Sequence, residues 1–215
     1  VEALDRVLPL EDEASSAAVA KAFTRRGIEV LTSTKVVNVE QEGTSARVEV
    51  EAAEGVRTLD ADVVLVAVGR APNTAGIGAA ELGILDEDGF VVTDAFGATQ
   101  VDGVWAVGDV RDTLALAHAA FAEGWVVADR IAQVADTQPV DHTQTPRVTY
   151  CHPQVASVGL TETQARERHG DAVEVTTVSL KGNAKGIIAG SDGTVKVISL
   201  RGATPTGATG DGGPV

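Results

Sequence analysis

The sequence predicts an α/β fold built from more than one unit, and three observations carry that prediction. Two stretches, 13–26 and 114–134, show apolar residues at helical spacing. A run from 34 to 66 changes to period two and is rich in valine. A polar stretch with two prolines, 135–147, then separates these from a third region of mixed helix and strand.

Each element has its own local reason. In EASSAAVAKAFTRR, residues 13–26, Ala17, Ala20 and either Lys21 or Phe23 mark a helical stripe. Acidic residues from Glu11 to Glu13 open the helix and Arg25 and Arg26 close it, an order that suits the helix dipole, with Gly27 as a C-cap. IEVLTST, 28–34, begins a strand region. The next three segments alternate, with Gly43 and Gly55 at the turns. VVLVAVG, 63–69, is apolar without alternation, as a strand covered on both faces would be, and Gly69, Pro72 and Asn73 break it. Residues 74–100 read mostly as loop and short elements, and GILDEDGFVVTDAFGATQVDGVWAVGD, 83–109, holds two short strands around a turn. The helix over 114–134 is alanine-rich and is expected to bury Leu116, Ala120, Val127 and Ile131, while Gly124 costs it about 1 kcal/mol relative to alanine. Beyond the linker come a strand at 148–150, a helix opened by a Thr161/Gln164 capping box, and alternating strands near 173–180 and 194–200. The tail, 201–215, has no periodicity and reads as disordered.

Composition narrows the function classes. Hydrophobic residues make up 44% of the 215, but aromatics only 3%, so aliphatic side chains must fill the core. The formal charge of −14 leaves no basic footprint for a nonspecific grip on nucleic acid. No apolar run approaches the ~20 residues that span a bilayer, and the opening VEALDRVLPLEDE lacks the pattern of a secretory signal. The single cysteine, Cys151, cannot form an internal disulfide, which favours an intracellular, cytoplasmic protein. The abrupt start, without any methionine, is compatible with a piece of something longer and equally with a processed terminus.

Among candidate chemical groups, Asp109 stands out. It follows Gly108 at the end of the apolar GVWAVG, where open α/β sheets place their ligands. It could contact a ligand, or it could cap the following helix. Glu2 could receive ribose hydroxyls if a glycine fingerprint lay upstream, or be a surface glutamate. His118, within LALAHAA, has no partner at metal-ligand spacing and reads as a packed or half-exposed side chain. Cys151 and His152 are adjacent, so in a strand they point to opposite faces and do not form a nucleophile–base pair. No Gly-x-Gly-x-x-Gly, nucleophile elbow or phosphate loop occurs. No metal site is expected.

Four stretches taken together change the weighting: DADVVLVAVGRAPNT at 60–74, GVWAVGDV at 103–110, LALAHAAFAEG at 114–124 and VTYCHPQVASVGLTETQA at 148–165. In order and spacing they resemble the flavin disulfide reductases, also called class I pyridine nucleotide-disulfide oxidoreductases, and within them the dihydrolipoyl dehydrogenase branch. The resemblance implies partial FAD- and NAD(P)-binding Rossmann-like domains followed by the start of an α+β dimerisation domain. Residues 1–68 would be the later part of the NAD-binding domain and 69–138 a return segment of the FAD-binding domain. Residues 139–145 would be a linker, 146–200 part of the dimerisation domain, and 201–215 the tail.

It further implies that Asp109 contacts the ribityl chain of FAD and that Leu116, Ala117 and His118 lie against the flavin. Tyr150 would line the FAD pocket. Glu2 would hold the adenosine ribose of NAD, and Gly69 would pass near the dinucleotide with Arg70 beside it as a structural ion-pair partner. The glycine fingerprints, redox cysteines and catalytic histidine of such enzymes match nothing here, so no catalytic residue is assigned. The implied partners are a second copy of the chain and, through a lipoyl domain, components of 2-oxoacid dehydrogenase complexes. A related disulfide or mercuric reductase, a soluble transhydrogenase, or a non-enzymatic remnant that only self-associates remain open alternatives.

Overall fold

The computed structural model describes residues 1–190 and 192–202. The expected disorder of the tail falls, from residue 203 onward, outside the described residues. The chain forms two compact units, one from residues 1–64 together with 148 onward, the other from 65–147.

The first unit begins with α1, Glu13–Arg25. Asp12 caps it, its carboxylate accepting from the Ala14 N–H. The buried stripe runs through Ser16 and Val19, whereas Ala17 is exposed. The predicted stripe was therefore shifted, because the larger β-branched Val19 takes the inward arc. Residues 28–34 form no regular strand. They are held instead by backbone hydrogen bonds to residues 2–4, including Glu2 N–H to the Leu31 carbonyl at 2.7 Å.

A three-stranded antiparallel meander follows: β1 Lys35–Glu42, β2 Ser45–Ala52 and β3 Gly55–Ala61. The middle strand buries Val48 and Val50 on one face. The period-two pattern read over 34–66 thus forms paired strands, with side chains of the middle strand alternating between a buried and a wetter face. Later in the chain, β4 Arg147–Thr149 pairs with β5 Val155–Ser157, and α3 Glu162–His169 starts at the expected capping box. Thr161 Oγ1 accepts from Gln164 N–H, and Gln164 Oε1 accepts from Thr161 N–H at 3.0 Å. Strands β6 Val173–Ser179 and β7 Thr194–Leu200 pair antiparallel, joined by a connection that contains the short α4, Ala184–Ile188.

The second unit departs further from expectation. VVLVAVG is irregular, and Val63, Leu65, Val66 and Val68 are exposed. A strand exists only when its N–H and C=O groups have a neighbouring strand to bond, and among the described residues none pairs with this run. The two short strands reduce to single bridges, Leu85 with Val91 and Ala98 with Trp105. They enclose a small core of Ala79, Ile84 and Val91, against which Val101, Val104, Ala106 and Val110 pack. Helix α2 spans Ala117–Ile131. Its buried residues are Ala119 and Glu123; Leu116, Ala120 and Val127 are half-buried, and Ile131 is exposed. None of the four residues expected on the buried side is fully buried: the inward arc runs through Ala119 and Glu123, where the Glu123 carboxylate finds donors from the chain packed against it.

Candidate functional site

Gly108–Val110 forms a single 3-10 turn directly after the bridge at Trp105. Gly108 has φ +72°, and a Cβ there would come within 3.1 Å of the Ala120 methyl. The turn is therefore written for glycine twice, by conformation and by closeness to α2. It projects Asp109 outward, with its side chain 55% exposed. Asp109 does not cap α2. The N-cap is Leu116, whose side chain carries no acceptor, so the first-turn amides of α2 receive no side-chain cap.

Arg70 joins these pieces. One guanidinium nitrogen lies 2.9 Å from Asp109 Oδ2, and the other donates to the Ala115 carbonyl at 2.8 Å. Asp109 and the amino end of α2 are thereby drawn to one place. Leu116 is half-buried, while Ala117 and His118 are exposed. His118 Nε2 is 2.7 Å from the Pro146 carbonyl, which can only accept, so that nitrogen carries the proton. Gly69, next to Arg70, has φ +134° and open space where a side chain would stand.

Behind the turn lies a group that sequence reasoning missed. Glu123, 2% exposed, accepts from the Gly108 N–H at 2.6 Å and from Thr113 Oγ1 at 2.9 Å, and pairs with the Arg111 guanidinium at 3.2 Å. His142 Nε2 is also 3.2 Å away. Arg111 is itself buried and continues to Thr93 Oγ1 and the Asp94 carbonyl. The available signal was an acidic residue four positions after Ala119 on the apolar arc of α2.

The remaining expected residues belong to the first unit. Glu2 is half-buried, and its Oε1 accepts from Leu4 N–H at 2.9 Å. Tyr150 is 83% exposed. Cys151 donates its thiol to the Pro153 carbonyl, and the His152 carbonyl accepts from Arg26; the two side chains form no dyad. Among the described residues no cluster of three or more His, Cys, Asp or Glu could hold a metal. No described helix is long and apolar enough to cross a membrane.

Comparison with known proteins now decides the family. The model for pyridine nucleotide-disulphide oxidoreductases matches residues 1–124, and the model for their dimerisation domain matches 145–205. The chain belongs to the pyridine nucleotide-disulphide oxidoreductase family. It is 40% identical over 200 residues to dihydrolipoyl dehydrogenases of Rhizobium etli and Zymomonas mobilis, covering 92% of this chain in both cases. It spans 41% and 43% of those two proteins. Among solved structures it resembles LpdA of Mycobacterium tuberculosis, with a TM-score of 0.81 at 25% identity over 93% of this chain and 43% of that one. It resembles the HOCl-induced flavoprotein disulfide reductase RclA of Escherichia coli similarly, with a TM-score of 0.82 at 27% identity over 93% of this chain and 46% of that one.

The family and these relatives imply FAD and NAD(P) as cofactors. The residues present fit one edge of a flavin. An outward carboxylate can accept from ribityl hydroxyls, and uncapped helix amides beside it can donate to an electron-rich group. Glu2 fits a ribose, since a carboxylate accepts from paired hydroxyls.

Proposed function

We propose that this chain is part of a flavoprotein that oxidises dihydrolipoamide and reduces NAD⁺ through an enzyme disulfide and FAD. The observation that carries this reading is the placement of Asp109 and the open amino end of α2 at one site by Arg70. Identity of 40% to dihydrolipoyl dehydrogenases across both matched domains supports it.

When bound, FAD supplies the two-electron chemistry that links a dithiol to a nicotinamide. The chain's own residues bind and orient. Asp109 would accept from the ribityl hydroxyls, and the backbone at Leu116, Ala117 and His118 would lie against the flavin. Glu2 would accept from the adenosine ribose and repel a 2′-phosphate, favouring NAD over NADP. Gly69 leaves room for the dinucleotide. Residues 146–200 make the contact with a second copy, and a lipoyl domain delivers the substrate.

The isolated chain is inactive in this reading. Its one cysteine cannot supply a redox pair, and it presents one edge of the flavin site. Titration of FAD into the ¹⁵N-labelled chain tests this directly. The expected result is a weak, saturating shift of amides in 108–118 without turnover of dihydrolipoamide and NAD⁺. No shift there would refute the flavin edge; stoichiometric yellow protein with turnover would refute the inactivity. Light scattering after size exclusion checks the dimer, and a monomer would count against self-association.

A further inference from the structure

We propose that Glu123 is the positioning residue of the flavin edge: its buried carboxylate locks the Asp109 turn in register with the amino end of α2. The inference rests on the reading of Asp109 as a flavin contact. The two flavin-facing pieces come from different parts of the chain, the 108–110 turn and the first turn of α2. Something must set their spacing, because ligand contacts at both lose strength when either moves by a fraction of an ångström.

Arg70 draws the two pieces together from the exposed side. Glu123 does so from the buried side. It sits on α2 itself, five residues beyond His118, and its Oε2 accepts from the Gly108 N–H at 2.6 Å. A carboxylate suits this position for a stated reason. Both its oxygens only accept, and the groups around it are donors: a backbone amide, the Thr113 hydroxyl and the Arg111 guanidinium. A neutral amide would turn an NH₂ toward at least one of those donors. Charge-assisted bonds are also shorter and stronger than neutral ones, which the 2.6 Å distance reflects. Gly108 fits the same design. Its closeness to Ala120 lets the turn rest directly on α2, where the carboxylate can reach it.

His142, 3.2 Å from Glu123, brings the segment after α2 to the same carboxylate, and its Nδ1 is buried without a hydrogen bond. One acidic side chain thus organises three backbone segments around the surface that Asp109 presents.

The test uses the full 215-residue chain, ¹⁵N-labelled, with FAD as the probe. Variants are Glu123→Ala, the milder Glu123→Gln, and Gln100→Ala, which in the same unit removes only a side-chain hydrogen bond to the Gly83 carbonyl. The Gly108 amide proton should resonate downfield in the parent and in Gln100→Ala, and move upfield in both Glu123 variants. The FAD dissociation constant read at Asp109 should rise about tenfold in Glu123→Ala, less in Glu123→Gln, and stay unchanged in Gln100→Ala. Should Glu123→Ala not fold, Glu123→Gln carries both readouts. An unmoved Gly108 amide, or unchanged FAD affinity in a Glu123 variant, overturns the proposal while the flavin reading stands. A parent chain with no FAD response at 108–118 overturns the flavin reading, and the positioning role toward that cofactor falls with it.

Discussion

Asp12→Ala should destabilise the first unit by about 2.5–4 kcal/mol, and the structure gives the reasoning. The Asp12 carboxylate does three things. It caps α1 through Ala14 N–H, accepts from the Glu162 N–H that opens α3, and meets Lys196 Nζ at 2.7 Å. Residues 150 and 184 positions apart in sequence are therefore joined at one side chain. Loss of an N-cap costs about 1 kcal/mol, and a charge-assisted hydrogen bond adds about 1.5–3 kcal/mol. The penalty stays below the upper end of the ~3–5 kcal/mol of a fully orphaned buried charge, because Lys196 keeps Glu162 at 2.7 Å. Asp12 and Lys196 side chains are only 13% and 19% exposed, so solvent screens the pair little.

The same cluster sets a pH dependence. Burial pushes the Asp12 carboxyl up, but Lys196 and the Glu162 and Ala14 amides outweigh it and hold it below its usual 3.8. Burial likewise pushes Lys196 down, and the two carboxylates outweigh that and raise it above 10.5. A depressed carboxyl contributes stability that is complete above 3.8 and lost as pH falls through its folded value; the raised lysine contributes below 10.5 and loses it as pH rises beyond. Glu162, lowered first by Lys196 and then by Arg166, acts in the same direction as Asp12. Urea unfolding at neutral pH, followed by far-UV circular dichroism, reads the loss. Both tryptophans, Trp105 and Trp125, lie in the second unit, so their fluorescence serves as an internal reference. A dichroism transition unmoved in Asp12→Ala, or an acid limb as steep in Asp12→Asn as in the parent, would refute the reasoning.

Three further substitutions test separate parts of the fold. Gly97→Ala places a methyl 2.8 Å from the Ala106 carbonyl oxygen and 2.9 Å from Val127 at φ +87°, so it should cost at least about 2 kcal/mol in a tryptophan-monitored melt. Thr161→Ala removes the α3 capping box and should lower stability by about 1 kcal/mol, with little effect from Thr44→Ala as a surface control. Val50→Ala empties a site with no solvent exposure in β2 and should cost about 1–2 kcal/mol by urea denaturation, against near zero for the exposed Val56→Ala.

Local signals were legible where the chain close by completes them. The meander over 35–61 follows from alternation plus two hairpins, since each strand finds its partner a few residues away. The capping box at Thr161 and Gln164 needs only four residues, and it formed as read. The four family stretches were equally legible, because the spacing of Gly108, Asp109 and His118 survives in sequence order. VVLVAVG was not, because apolar composition states that a strand wants covering but cannot supply the strand that would pair with it.

The sequence by itself determined the two long helices, the meander, the capping box and the family. Tertiary structure alone decided that Asp109 meets Arg70 rather than capping α2, that Asp12 links α1 to α3 and β7, and that Glu123 lies buried under the Gly108 turn. The physical reason is distance along the chain. Periodicity and caps act over a turn or a strand, whereas a buried carboxylate is tolerable only when donors from remote segments converge on it, and no local pattern records that convergence.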